Sequence, residues 1–259
     1  MYLAFNLETN KDYSNWYEKG KQIYQEEVEG INKNLENYLY QGTSTINGNS
    51  LESDWFPEVN ADVFLSHSHV DEENAIAFAG WLKEVFGLTV FIDSCVWGHS
   101  NELLKSIDDK YCLNPSGNMY DYNKRNYSTS HVHMMLSMAL SKMMDRAELV
   151  IFMATDNSIQ PVSKTISHTT KSPWIYNELV MTNLIRKINP NRPIEEAFEK
   201  RAFNEAKRLD VAYDVGSYMN KLIPLRDGNL HIWEEQYQQN HPLHTHPLDF
   251  LYAQFKRPQ

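Results

Sequence analysis

The sequence predicts an α/β fold, a parallel sheet flanked by helices. Three observations predict it. Apolar runs of strand length recur at Val63-Phe64-Leu65, Thr89-Val90-Phe91-Ile92 and Leu149-Val150-Ile151-Phe152-Met153, the composition of strands buried on both faces. Helix-period apolar stripes lie between them, and strand–helix–strand with short links calls for a parallel crossover. Polar residues follow the runs directly, and α/β proteins build their sites at the carboxyl ends of strands.

Taken in order, residues 1 to about 40 read as helical and amphipathic, with Tyr17, Ile23, Tyr24, Val28, Ile31 and Leu35 near helical spacing. The stretch 41–50, rich in Gly, Ser, Thr and Asn, marks a loop or linker. The expected organisation is therefore an N-terminal helical extension over 1–55, an α/β domain over 56–225 and a C-terminal extension over 226–259 that packs on the domain.

A strand over 62–66 leads to a helix over about 71–86. Ala75, Phe78, Ala79, Leu82, Val85 and Phe86 follow the i, i+3, i+4, i+7 rule. Asp71, Glu72 and Glu73 suit its positive N-terminal end, and Gly87 supplies the stop. After the strand over 89–93 comes a loop over 94–100, then a helix through Leu103, Leu104 and Ile107. Residues 112–129 read as an irregular insertion. A helix over about 130–146 buries Val132, Met135, Leu136, Ala139, Leu140 and Met143. Ser172-Pro173-Trp174 opens another, with serine at the cap and proline in the first turn. A helix near 194–209 and a strand near 211–215 complete the pattern.

Composition narrows the function classes. The chain has 259 residues, 42% hydrophobic and 22% charged, enough for a large core. A net charge of −10 argues against a general nucleic-acid binder, which needs a basic surface for phosphates. No stretch approaches the ~20 apolar residues of a membrane span, and the first residues do not read as a signal peptide. Two cysteines, Cys95 and Cys112, read as reduced thiols of a cytoplasmic protein.

Two places carry chemistry. The first is Ser66-His67-Ser68-His69, where the first strand breaks into a loop. His67-x-His69-x-Asp71 has the spacing of a metal-hydrolase signature, but that signature requires histidine after the aspartate, and this chain has Glu72. The second is Trp174-Ile175-Tyr176-Asn177-Glu178. Trp174 and Glu178 lie four apart on one helix face, beside the apolar Ile175 and Leu179. A carboxylate at the edge of a buried stripe is costly unless paired or used; otherwise Glu178 is a solvated helix residue.

Together these segments resemble a Toll/interleukin-1 receptor (TIR) domain. Asp62-Val63-Phe64-Leu65-Ser66 is similar to the family's first strand, Phe91-Ile92-Asp93 and the following loop to its second strand and BB loop, and Trp174 to Glu178 to the start of its αC helix. The resemblance covers roughly residues 60–190. It implies a flavodoxin-like sheet, NAD⁺ as substrate rather than cofactor, and Glu178 as the catalytic residue. It also implies that Ser66, His67, Ser68, Asp93, Trp97 and Trp174 line the substrate site. For His67 the alternative is a surface loop histidine. For Trp97 it is an assembly contact, and for Trp174 a core tryptophan. Stand-alone bacterial members act in antiphage defence, including Thoeris-like systems. That implies self-association through TIR surfaces and a separate effector that senses the product. The competing expectation is a non-enzymatic TIR scaffold. His131 and His133 share no helix face, and His241, His244 and His246 are interrupted by prolines, so neither set reads as a metal site.

Overall fold

The computed structural model describes residues 1–28, 34–161, 168–190, 192, 213–239 and 245–255, without the side chains of 24, 26–28 and 95–98. The strands are β1 (Leu3–Glu8), β2 (Val63–Ser66), β3 (Val90–Ile92), β4 (Leu149–Met153), β5 (Thr169–Thr170), β6 (Tyr213–Asp214) and β7 (Ile223–Arg226). The helices are α1 (Tyr17–Val28), α2 (Gly48–Trp55), α3 (Glu72–Phe86), α4 (Ser94–Ile107), α5 (Tyr122–Arg146), α6 (Pro173–Leu184), α7 (Gly216–Met219), α8 (Asp227–Gln239) and α9 (Pro247–Ala253).

The architecture is α/β: a five-stranded sheet, ordered β3-β2-β4-β1-β7, with every neighbouring pair parallel. Alternate side chains along each strand feed two separate cores. Val63, Leu65, Val90, Ile92, Leu149, Ile151 and Met153 meet α3, α8 and α9 on one face. Phe64, Phe91, Val150 and Phe152 meet α2, α5 and α6 on the other. Strands β2, β3 and β4 are buried on both sides, which explains their continuous apolar runs.

The N-terminal segment departs from expectation. It opens with a strand rather than a helix, and β1 lies inside the sheet, between β4 and β7. Counted from β2, the sheet has the flavodoxin-like order 2-1-3-4-5, with the fourth place taken by the N-terminal strand. Along Leu3-Ala4-Phe5-Asn6-Leu7 the side chains alternate between the two cores, Phe5 and Leu7 facing one and Ala4 the other, and Asn6 breaks the apolar run. The segment 1–55 is therefore part of the α/β sheet rather than an extension to it. Its helix α1 packs on α3, where Gly20 and Gly80 let the two backbones meet.

Other elements follow the sequence closely. Gly87 ends α3 with φ 69°, and Ser172 Oγ caps α6 by accepting the N–H of Ile175 at 3.3 Å. Two boundaries move. Residues 94–100 begin α4 instead of forming a loop. The expected insertion is half helix, since α5 starts at Tyr122 with Asp121 as its cap. Buried Asp108 anchors that region, accepting from Ser128 Oγ at 2.5 Å and Arg125 Nε at 2.8 Å. The helix expected near 194–209 and residues 211–212 of the expected strand lie outside the described residues, as do His241 and His244. Among the described residues no helix is long and apolar enough to cross a membrane.

Candidate functional site

Three elements bring polar side chains to the carboxyl edge of the sheet. Strand β2 ends at Ser66 and delivers His67 behind it. Asp93 follows β3 and precedes the first turn of α4. Glu178 comes from the middle of α6, on the face that also buries Ile175 and Leu179. None of the four is more than 1% exposed.

Ser66 Oγ donates to Glu178 Oε2 at 2.5 Å. His67 Nδ1 lies 2.6 Å from Asp93 Oδ1. The carboxyls of Asp93 and Glu178 are near enough to shift each other's ionisation. Two carboxyls, an imidazole and a serine hydroxyl thus lie buried together.

The electrostatics follow from that burial. Loss of hydration holds the Glu178 carboxyl well above the usual carboxylate range, and the negative charge of Asp93 pushes the same way; the Ser66 hydrogen bond opposes both. Burial also holds Asp93 well above its ordinary value, opposed by Glu178 and by the backbone N–H groups of His67 and Ser94. Burial lowers the His67 imidazole to about 4, against the pull of Glu178, Glu72 and Asp71.

Of the expected site residues, Ser66, His67, Asp93 and Glu178 converge. Ser68 is buried next to them, but its carbonyl serves the turn into α3 by accepting the N–H of Asp71 at 2.8 Å. Trp174 is half-buried and packs against the second core, its ring edge-on to His133 at 5.3 Å. The side chain of Trp97 lies outside the described residues, and its backbone belongs to α4 rather than to a loop. The histidine at 67 is a fully buried side chain, not a surface one.

Sequence reasoning missed two features. Asp71 suits a helix N-terminus, yet it is buried and accepts from Thr155 Oγ1 at 2.5 Å and Asn157 Nδ2 at 2.9 Å, tying the α3 start to the loop after β4. The sequence places Asp93 among the residues lining the substrate site but does not show that it is buried with its Oδ1 2.6 Å from His67 Nδ1. The signal available in sequence was a charge directly after the all-apolar run Val90-Phe91-Ile92.

A separate cavity of about 450 Å³ opens on the same edge, lined by Glu8, Thr9, Asn10, Ala154, Arg226 and Asp227. Its polar groups satisfy one another: Thr9 Oγ1 donates to Asp227, and Arg226 Nε to Glu8 at 3.1 Å. Among the described residues, no three His, Cys, Asp or Glu side chains are grouped so as to hold a metal ion. His246, the described member of the tail histidines, caps α9.

Comparison with protein-family models, curated proteins and solved structures gives no match. The functional reading therefore rests on the site itself.

Proposed function

We propose that the chain is a TIR-type NAD⁺ glycohydrolase or ADP-ribosyl cyclase, with Glu178 as its catalytic residue. The observation that carries this reading is the buried Glu178 carboxyl, held by Ser66 at the carboxyl edge of a flavodoxin-like sheet. Cleaving the nicotinamide–ribose bond builds positive charge on the ribose, as in glycoside hydrolysis. The leaving nicotinamide goes from a cationic ring to a neutral one, so its departure needs no acid. One carboxylate in a water-poor site is then sufficient to stabilise the oxocarbenium-like transition state. Ser66 fixes the carboxyl's orientation. The ADP-ribosyl part passes to water, to its own adenine or to another small acceptor. Glu178 is 1% exposed, so substrate entry requires the elements around it to part. The same reading gives the product a signalling role towards a separate effector in antiphage defence.

One observation favours the scaffold reading. Helix α5 presents Tyr127, Met134 and Met138 to solvent, at i, i+7 and i+11 on one face. The two readings separate in one experiment. Wild type and Glu178→Ala are incubated with NAD⁺ at high protein concentration, and all nucleotide products are resolved by mass spectrometry. Nicotinamide release by wild type alone supports the enzyme. No turnover, even after forced assembly, leaves the scaffold.

A further inference from the structure

Glu178 and Asp93 present a chemical puzzle that fixes where a proton must lie. Among the described residues, Glu178 Oε1 and both Asp93 carboxyl oxygens meet no side-chain or backbone donor in full hydrogen-bonding geometry. Both carboxyls are buried, and two consecutive residues reach them: Ser66 Oγ lies 2.5 Å from Glu178 Oε2, and His67 Nδ1 lies 2.6 Å from Asp93 Oδ1. Two neighbouring carboxyls buried this deeply are costly to ionise together, so one of them carries a proton. Like-charged carboxyls held together in low dielectric share a single proton for the same reason.

The surroundings of the two carboxyls are unequal. Asp93 precedes the 14-residue helix α4, whose N-terminal end favours an anion, and has His67 Nδ1 at 2.6 Å. Among the described residues Glu178 has one side-chain donor, the Ser66 hydroxyl. The negative charge is better supported on Asp93, which leaves the proton on Glu178. The remaining charged groups that act on this cluster are Asp71 and Glu72 at the start of α3, reaching it through His67.

We propose that Asp93 is a positioning residue that shares one proton with Glu178, keeping Glu178 uncharged in the empty site and ionising it only against a cationic ligand. In the empty site Glu178 donates its O–H to the Asp93 carboxylate. When a pyridinium cation enters, the proton passes along that hydrogen bond to Asp93. Glu178 is left as the anion, held by Ser66. No proton leaves the cluster, and the ligand's positive charge balances the new carboxylate. The catalytic anion thus appears only when the scissile bond is present. This rests on the reading of Glu178 as the catalytic carboxylate.

The test is a carbon-13 titration of the carboxyl groups in protein labelled at Asp and Glu, with Glu178→Gln assigning the Glu178 signal. In wild type, Glu178 and Asp93 should titrate as a coupled pair in two steps. In Asp93→Asn the partner cannot accept a proton, and the Glu178 titration should move down by about one pH unit or more. His67→Gln, which weakens the support of the Asp93 anion, should shift the pair's titration as well. Independent single steps in wild type would overturn the proposal even if Asp93→Asn does not fold. So would an unmoved Glu178 signal in folded Asp93→Asn. With NAD⁺, the acid limb of nicotinamide release in Asp93→Asn should move to lower pH, a shift that mere loss of folding does not produce. If no variant and no wild type releases nicotinamide, the glycohydrolase reading falls, while the titration still decides the proton sharing.

Discussion

Ser66 Oγ donates to Glu178 Oε2 at 2.5 Å and so joins the last residue of β2 to the middle of α6 across 112 positions of sequence. Among the described residues it is the side-chain donor to a carboxyl that is 1% exposed. Ser66→Ala removes it and leaves Oε2 buried without a partner, a defect that costs about 1–3 kcal/mol. Because that hydrogen bond favours the ionised carboxylate, its loss also makes Glu178 harder to ionise. The expected result is a lower unfolding midpoint in denaturant, with an acid limb of nicotinamide release moved to higher pH. A variant as stable as wild type, with an unmoved profile, would show that Ser66 does not support the carboxyl.

Burial of two carboxyls makes a pH-dependent statement about stability. Both Glu178 and Asp93 are held above their ordinary values of 4.5 and 3.8. A group raised in the folded state contributes fully below its unfolded value and loses that contribution as pH rises through the folded value. Glu178→Gln should therefore stabilise the protein at neutral pH, by about 1 kcal/mol or about 2–4 °C, as removing a functional residue often does. Near pH 3 the gain should vanish. His67 has the opposite sign: its imidazole is lowered from 6.5 to about 4, so its contribution is present above 6.5 and is lost as pH falls through about 4. His67→Gln should flatten the acid branch of the stability curve. Thermal unfolding from pH 3 to 8 reads all three, and a Glu178→Gln midpoint that tracks wild type at every pH would refute the burial argument.

The α1–α3 crossing depends on two missing side chains. A Cβ on Gly20 would lie 1.8 Å from the Ile76 carbonyl oxygen, and one on Gly80 2.1 Å from that of Trp16. Backbone atoms cannot rotate away, so the helices would have to separate. Gly20→Ala and Gly80→Ala should each destabilise by about 1–3 kcal/mol, despite alanine's better helix propensity. Gly228 in α8 is the control, because a Cβ there meets nothing within 4 Å. Gly228→Ala should be neutral or stabilising by up to about 1 kcal/mol. Equal effects at all three positions would mean that the close approach is not what sets them.

The parts of the fold and site legible in the sequence are those where local pattern and burial coincide. Strands β2, β3 and β4 are apolar throughout because both faces are covered, and α3 and α6 carry their own caps, Gly87 and Ser172. Glu178 stood out as a carboxyl on an apolar stripe. What stayed hidden depends on long-range contact. Asp93 pairs with His67 and Glu178 from other elements, and no spacing reports that. Strand β1 lacks the unbroken apolar run of β3 and β4, being interrupted by Asn6 and ending in Glu8, so periodicity absorbed it into the helical pattern that follows. The first turns of α4 read as a loop because Ser94, Gly98 and Ser100 are poor helix formers, and the fold overrides that propensity.

The position of β1 makes a final prediction about which part of the chain folds. A boundary near residue 55 would let residues 56–259 fold alone. The sheet argues otherwise. β1 registers with β4 from Leu3↔Leu149 to Leu7↔Met153, and with β7 from Phe5↔Ile223 to Glu8↔Arg226. Phe5 and Leu7 are fully buried in the core shared with α3 and α8. Without β1, strand β4 loses its partner on one side, β7 detaches, and α3 exposes the face that α1 covers. Unpaired strand edges and uncovered apolar surface lead to aggregation. The fragment 56–259 should therefore show no cooperative unfolding transition by circular dichroism and should accumulate as insoluble protein. In the full chain, Leu7→Ala should cost about 2–5 kcal/mol, the range for a buried leucine. A soluble 56–259 fragment that unfolds cooperatively near the full chain's midpoint would show that the N-terminal strand is dispensable.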